Sequence, residues 1–356
     1  MKRYGYIYEK IYDIENLKEA HKRARKDKLY YKEVKMVDEN LDYYLNEIHD
    51  MLKNETYTLS ESNYSVSVIQ DGPKERELWK LKYYPHRIIQ WAIMLQLEPI
   101  FNEVFTSSVY ASIPGKGIHG VVKKIEKDLK DDKNTVYCAK GDVKKFYQNI
   151  NHNILKKMLR KKIKDKKLLR LLDIIINSHG KIGIPIGSYL SQYLANFYLA
   201  YFDHWVLSQK EVKYYYRYMD DIVILGSNKE GLHKVVNDIK IYLNEELKVT
   251  LKENYQVFPV KTRGIDFCGY RFFKTRTILR KSTYIKMRAK MSQINKKWNS
   301  GNMINYNEWS SINSYYGWTK WLKNCKLQEK YVNINIDAMN HYYKNVIKRR
   351  KLLKKL

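Results

Sequence analysis

Three aspartates carry the richest chemistry in this chain. Asp142 closes the run "TVYCAKGD", and Asp220 and Asp221 stand side by side in "YYYRYMDDIVILG", residues 214 to 226. Adjacent carboxylates repel, and a tight turn brings them closer. Without a cation they raise one another's pKa and cost stability. Either such a turn is bathed in water, or something doubly positive sits there. Mg²⁺ prefers oxygen ligands and is commonly held by one or two carboxylates together with substrate phosphates. Two such ions about 4 Å apart clamp the attacking and leaving oxygens of an in-line phosphoryl transfer.

For these residues to act together, a sheet must gather them. The spacing predicts a strand ending near Asp142, helices to about Ile176, and a loop at "GKIGIPIG". A helix is expected over 188–209, and then a hairpin tipped by Asp220 and Asp221. A strand, a helical connection and a returning hairpin bring Asp142 beside Asp220 on one sheet. Upstream, residues 1–60 read as helical, with Asp13 as a cap and a second helix across "DENLDYYLNEIHDMLKN". Residues 64–82 alternate like two short strands around Asp71-Gly72-Pro73, and a long helix follows from Pro85. "YASIPGKGIHG" breaks regular structure, and a helix follows it. Downstream come a helix over 230–246, a strand over 248–253, the hairpin "GIDFCGYRFF", and a basic helical stretch from Lys281 to Leu356.

Composition points to a polyanionic partner. The 356 residues hold 67 Lys and Arg against 38 Asp and Glu, a net charge of +29, and an excess that large favours nucleic acid. The length suggests two or three lobes. The 33 tyrosines offer rings that stack on bases or line a wet groove, although most should serve as ordinary packing. Three cysteines, Cys138, Cys268 and Cys325, form no C-x-x-C pair and read as reduced thiols. No long apolar run or signal-peptide core is present, so a soluble, cytoplasmic protein without membrane contact is expected.

Four motifs in order resemble those of reverse transcriptases. "RYMDDIVIL" is similar to the family's Y-x-D-D motif, and "GDVKKFYQNINHNIL" to its first aspartate motif. "GIPIGSYLSQYLANFYL" resembles the loop and helix between them, and "GIDFCGYRF" the hairpin that grips the primer end. The resemblance covers roughly residues 65–330. It implies an α+β right-hand polymerase with fingers, a palm built on a short antiparallel sheet, and a helical thumb. The N-terminal extension and fingers would take residues 1–135. The palm would take 136–280, interleaved with the fingers, and the thumb 281–356.

The resemblance also implies roles. Asp142 and Asp220 would bind two Mg²⁺ ions, for which Mn²⁺ can substitute, with Asp221 as the third carboxylate and the Val143 carbonyl as a further ligand. Lys252 would protonate the leaving pyrophosphate. Tyr147 would exclude a ribose 2′-hydroxyl, with Phe146 as the competing ring. Lys74 and Arg76 would hold the triphosphate, and Ile186, Gly187 and Gln192 would border the incoming nucleotide. Template and primer would meet Gly115, Lys116, Gly117, Ser191, Tyr218, Met219, Gly269, Tyr270 and Trp318. In the thumb, Trp309, Tyr316 and Trp318 lie among lysines, in helices that would track the template–product duplex.

One departure selects a subtype. Residues 186–192 read "IGSYLSQ", whereas intron-type and most bacterial relatives carry Gln before the glycine and Pro after the serine. I-G-x-x-x-S-Q resembles the pattern of diversity-generating retroelement enzymes, which misincorporate opposite adenine. Ser188 can cap the helix, and Ile186 removes a polar contact near the nascent base pair. The expected partners are a non-coding template RNA, the cDNA product, deoxynucleotides and a small basic accessory protein. A bacterial antiphage enzyme is the alternative, and a catalytically dead RNA-binding module the least favoured. The retron N-A-x-x-H and V-T-G motifs are absent, and a maturase would be expected to continue beyond residue 356 with a further domain.

Overall fold

The computed structural model describes residues 2–71, 74–322 and 326–348. Its nine strands are β1 (Tyr64–Asp71), β2 (Lys74–Leu81), β3 (Tyr137–Asp142), β4 (Tyr214–Tyr218), β5 (Asp221–Gly226), β6 (Gln256–Pro259), β7 (Ile265–Phe267), β8 (Tyr270–Phe272) and β9 (Thr277–Leu279). They form a two-stranded ribbon β1-β2, a sheet in the order β4-β5-β3-β6, and a meander β7-β8-β9. With helices filling most of the remaining chain, the fold class is α+β, as expected.

The chain divides into two compact units. The first comprises residues 1–113, 140–222 and 233–255, and the second 114–139, 223–232 and 256–356. The first is built on the helix Ile88–Val104, whose Ile88, Ile89, Ala92, Ile93 and Leu97 are fully buried. It packs against the helices Ile14–Ala24 and Tyr189–Tyr198. Asp13 caps the former as expected, accepting from the Glu15 and Asn16 amides. In the second unit, Thr277 donates to Glu126 at 2.5 Å, tying β9 to the helix Gly117–Asp128. Arg280 pairs with Asp266 at 2.6 Å, bracing the meander.

Several elements depart from the sequence expectation. The helix expected across 38–54 is two helices, Lys32–Glu39 and Leu41–Lys53, parted by Asn40 at φ −134° and ψ 53°. The helix over 188–209 breaks at Leu199 into Tyr189–Tyr198 and Ala200–Ser208. No Gly or Pro marks that break, and Tyr198, Leu199 and Ala200 are wholly buried there. Residues 248–253 make one isolated bridge, Val143 to Leu251, in place of a strand. β6 and β9 were not anticipated. β1 and β2 pair along their whole length as expected, although Gly72 and Pro73 of the expected turn lie outside the described residues. No helix among the described residues is long and apolar enough to cross a membrane.

Candidate active site

The three aspartates meet in the first unit. Asp142 ends β3, and the backbone immediately after it is stapled to residues 250–252. Lys252 N–H donates to the Asp142 carbonyl at 2.9 Å, and Lys144 N–H to the Thr250 carbonyl at 2.8 Å. This antiparallel bridge lays the Lys252 ammonium on the Asp142 carboxylate as an ion pair, each side chain about one-quarter exposed. Gly141 lets the two segments close, because a Cβ there would stand 3.1 Å from a Leu251 methyl.

β4 and β5 are joined by a two-residue turn, Met219-Asp220, with Met219 in the left-handed region at φ +55°. Val143 N–H donates to the Asp220 carbonyl at 3.3 Å, which sets the turn against the end of β3. Burial pushes the Asp220 carboxyl up to about 6; the Asp221 and Asp142 charges add to the rise and Lys252 opposes it. Three anions therefore share this corner with one ammonium. Among the described residues no group of three or more His, Cys, Asp or Glu is placed to hold a metal ion. Mg²⁺ is commonly held by only one or two carboxylates, with phosphate oxygens completing its coordination.

The ring question left open by the sequence is answered by burial. Phe146 is 2% exposed and packs against Tyr198, so it is a core residue and no sugar can meet it. Tyr147 is half-buried and donates its hydroxyl to the Met219 sulfur at 3.5 Å. Burial and the Asp220 charge both push its phenol upward. Tyr218 and Met219 are likewise half-buried at the turn.

The turn rests on a buried polar network that the sequence reading missed. Arg217 on β4 is wholly buried and pairs bidentately with Asp203, itself wholly buried, through two 2.6 Å bonds. The same guanidinium donates to the Asn196 side chain at 3.0 Å and the Asn196 carbonyl at 3.3 Å. It also donates to the Met219 carbonyl at 2.9 Å. Tyr215 donates its hydroxyl to Asp203 at 2.6 Å. A signal was present: one acid in "AYFDHWV" and one base in "YYYRYM", each among apolar and aromatic neighbours, are of opposite sign. A lone charge in such a setting is expensive, and a pair is the natural solution.

Around this corner, the loop before the helix Tyr189–Tyr198 is fastened to the ribbon. Trp79 N–H donates to the Ile186 carbonyl at 2.9 Å. Gly187 sits at φ +130°, where a Cβ would lie 2.7 Å from the Trp79 carbonyl oxygen. Ser188 caps the helix as expected, accepting from the Ser191 amide at 3.1 Å. Ser191 is buried and its hydroxyl donates to Ser188. It therefore serves the cap and is not available to template or primer. Gln192 is half-buried, and Arg76 is exposed on β2. The expected role of the Lys74 side chain falls outside the described residues.

The remaining expected contacts belong to the second unit. Gly115 and Gly117 have φ of +78° and +67°, with open space where a Cβ would stand. Burial lowers the Lys116 ammonium pKa. The β7–β8 turn, Cys268-Gly269, is covered. Trp318 stacks on Tyr270 at 5.2 Å, and a Cβ on Gly269 would lie 2.6 Å from the indole. Tyr270 is wholly buried and donates to the Trp318 carbonyl. Gly269, Tyr270 and Trp318, expected to meet template or primer, thus contact one another, with Tyr270 wholly buried and Gly269 and Trp318 half-buried. Of the three aromatics expected along the duplex, Trp309 packs near Tyr306 and Tyr342, and Tyr316 is exposed.

The family model for reverse transcriptase (RNA-dependent DNA polymerase) matches residues 73–272, more than half of the chain. The chain belongs to the reverse transcriptase family. Protein YkfC of Escherichia coli K12 is 24% identical over 234 residues, 54% of this chain and 61% of that protein. The group II intron-encoded protein LtrA of Lactococcus lactis is 22% identical over 297 residues, 64% of this chain and 49% of that one. The chain thus spans about half to three-fifths of the length of these relatives. Apo telomerase from Candida tropicalis aligns over 67% of this chain and 52% of that chain, at 15% identity and a TM-score of 0.48.

Proposed function

We propose that this chain is an RNA-directed DNA polymerase that joins a primer 3′-hydroxyl to the α-phosphate of a deoxynucleoside triphosphate on an RNA template. The observation that carries the reading is the meeting of Asp142, Asp220 and Asp221 at one hairpin turn, with Asp220 pushed up to about 6 in part by the other two. Carboxylate oxygens are the donor set that Mg²⁺ or Mn²⁺ prefers. Asp142 and Asp220 would hold two ions, with Asp221 and the Val143 carbonyl beside them. When bound, such ions neutralise charge on the phosphates and acidify the attacking hydroxyl.

The protein's own residues do the rest. Lys252, positioned on Asp142, supplies a proton toward the leaving pyrophosphate. Tyr147 presents its ring beside Met219, where a 2′-hydroxyl would collide. Arg76, with Lys74, holds the triphosphate by charge-assisted hydrogen bonds. The open glycines at 115 and 117 let backbone approach template phosphate. In this reading the fingers lie within residues 1–135, the palm within 136–280 and the thumb within 281–356.

We further propose that the enzyme is of the diversity-generating retroelement type. "IGSYLSQ" supports this. Ile186 offers an apolar side chain where the resemblance to intron-type enzymes implies Gln, and its carbonyl accepts from Trp79 N–H. A pocket with one polar contact fewer tolerates mispairs. The template would be a non-coding RNA and the protein partner a small basic accessory chain.

The test is primer extension on a defined RNA template with Mg²⁺, with products sequenced, beside an Asp220→Ala/Asp221→Ala control. Products that vanish in the control, with errors concentrated opposite template adenines, are expected. Faithful or untemplated products would keep the polymerase and move it toward a defence role. Activity that survives in the control would defeat the carboxylate assignment.

A further inference from the structure

The five N–H groups of Arg217 are all engaged: two on Asp203, two on Asn196 and one on the Met219 carbonyl. Four of the five bind scaffold. The helix Tyr189–Tyr198 supplies Asn196, and the helix Ala200–Ser208 supplies Asp203. Both residues are wholly buried, and Asn196 is itself anchored, donating to the Ala111 carbonyl at 2.9 Å. The Arg217 backbone is fixed as well. Its N–H donates to the Ser108 carbonyl at 2.9 Å, and its carbonyl accepts from Tyr110 N–H at 3.0 Å. A planar fork fastened at so many points has one direction left for its last hydrogen bond, and that direction is the carboxylate turn.

Stability alone does not account for such a pair. A buried Arg–carboxylate pair is commonly no more stabilising than apolar residues of the same shape, because desolvation cancels the attraction. What apolar residues could not do is hold the Met219 carbonyl. Met219 is a non-glycine residue at φ +55°, a conformation that costs roughly 1–2 kcal/mol. The turn therefore needs an outside constraint to stay in this form. The next residue is Asp220, whose carbonyl is held separately by Val143 N–H at 3.3 Å. The two peptides that flank Asp220 are thus each held, the one before it by Arg217 and the one after it by the end of β3.

We propose that Arg217, braced by Asp203 and Asn196, is a positioning residue that fixes the orientation of Asp220 and Asp221 through the Met219 carbonyl. The pair acts through the turn and touches no substrate. The inference rests on the polymerase reading above, in which those two carboxylates hold divalent cations.

Two variants test it. In Arg217→Met/Asp203→Leu/Tyr215→Phe the charges and the stranded hydroxyl leave together, so no unpaired ion remains in the core. Arg217→Lys keeps the charge opposite Asp203 but lacks the fork that reaches Asn196 and Met219 at once. Each is compared with wild type by thermal melting, by Mn²⁺ titration followed by electron paramagnetic resonance, and by primer extension across a range of Mg²⁺ concentrations. The expected result is a folded protein whose Mn²⁺ affinity falls about tenfold or more, as for other residues that orient metal ligands. The Mg²⁺ midpoint for extension should rise in parallel, kcat should fall, and KM for template–primer should stay unchanged. Wild-type Mn²⁺ affinity and Mg²⁺ midpoint in either folded variant would overturn the proposal. Failure of both variants to fold would also overturn it, by making the pair a stability element. A wild-type protein that binds Mn²⁺ but extends no primer would count against the polymerase reading, while the Mn²⁺ titration would still decide the role of Arg217.

Discussion

Two hairpin turns of equal length have opposite surroundings. Met219-Asp220 joins β4 to β5, and Cys268-Gly269 joins β7 to β8. Both place a non-glycine residue at positive φ, Met219 at +55° and Cys268 at +48°. The first is gripped from below by one hydrogen bond from the buried Arg217 to the Met219 carbonyl, and its carboxylates stay half-exposed. The second is capped from above by the Trp318 indole, with Tyr270 wholly buried beneath it. A turn that must present charge is held by its backbone. A turn whose role is packing is held by covering it.

The sharpest way to separate the two is Asp220→Asn. Primer extension should fall to background, yet the metal-free protein at pH 7.5 should melt higher by a few degrees, on the order of 2–4 °C. Removing one of three crowded anions relieves repulsion while removing a ligand. A lower melting temperature would mean that the carboxylate stabilises the fold, and the contrast between the turns would weaken.

Trp318→Ala should show the reverse pattern. Loss of the indole over Gly269 should cost about 2–3 kcal/mol in chemical denaturation, with kcat per folded molecule unchanged. A fall in template affinity at full stability would restore the nucleic-acid role that the packing argues against. Gly269→Ala should cost about 1–2 kcal/mol in wild type, since its Cβ meets the indole at 2.6 Å. It should cost less in the Trp318→Ala background, a coupling read from a double-mutant cycle. Equal costs in both backgrounds would show that positive φ, not the collision, sets the penalty.

Tyr147→Ala tests the open side of the first turn. Ribonucleotide incorporation should rise about tenfold or more relative to deoxyribonucleotide, measured by competition on one template. Unchanged discrimination would remove Tyr147 from the sugar-gate role, and Phe146 could not take it over from inside the core.

The smallest effect is in pH. The Asp220 carboxyl is raised from the ordinary 3.8 to about 6. Its favourable contribution to the metal-free fold is therefore present below about pH 3.8 and lost as pH rises through 6. Added Mg²⁺ should raise the melting temperature more at pH 7.5 than at pH 5. An equal rise at both values would place the ion away from Asp220.

The chemistry was more legible in the sequence than its support. Asp142, Asp220 and Asp221 stand out because carboxylates at strand ends and tight turns follow local rules, and the same rules found the β1–β2 ribbon and the Ser188 cap. The Arg217–Asp203–Asn196 brace is a contact between separate elements, and its members look like ordinary polar residues until burial is known. The stacking of Tyr270 on Trp318 was hidden for the same reason: an aromatic among lysines looks like a platform for bases, and only packing shows that another ring lies against it. The breaks at Asn40 and Leu199 carry no proline or glycine; Asn40 is exposed and Leu199 wholly buried.

The lysine on Asp142 has a consequence for handling the protein. Because the Lys252 ammonium already neutralises one carboxylate, the corner is not a bare triple anion when divalent ions are scarce. The lysine serves as a resident counter-ion for Asp142 without any metal. Preparations stripped with chelator should therefore stay folded and recover activity on adding Mg²⁺, without a refolding step.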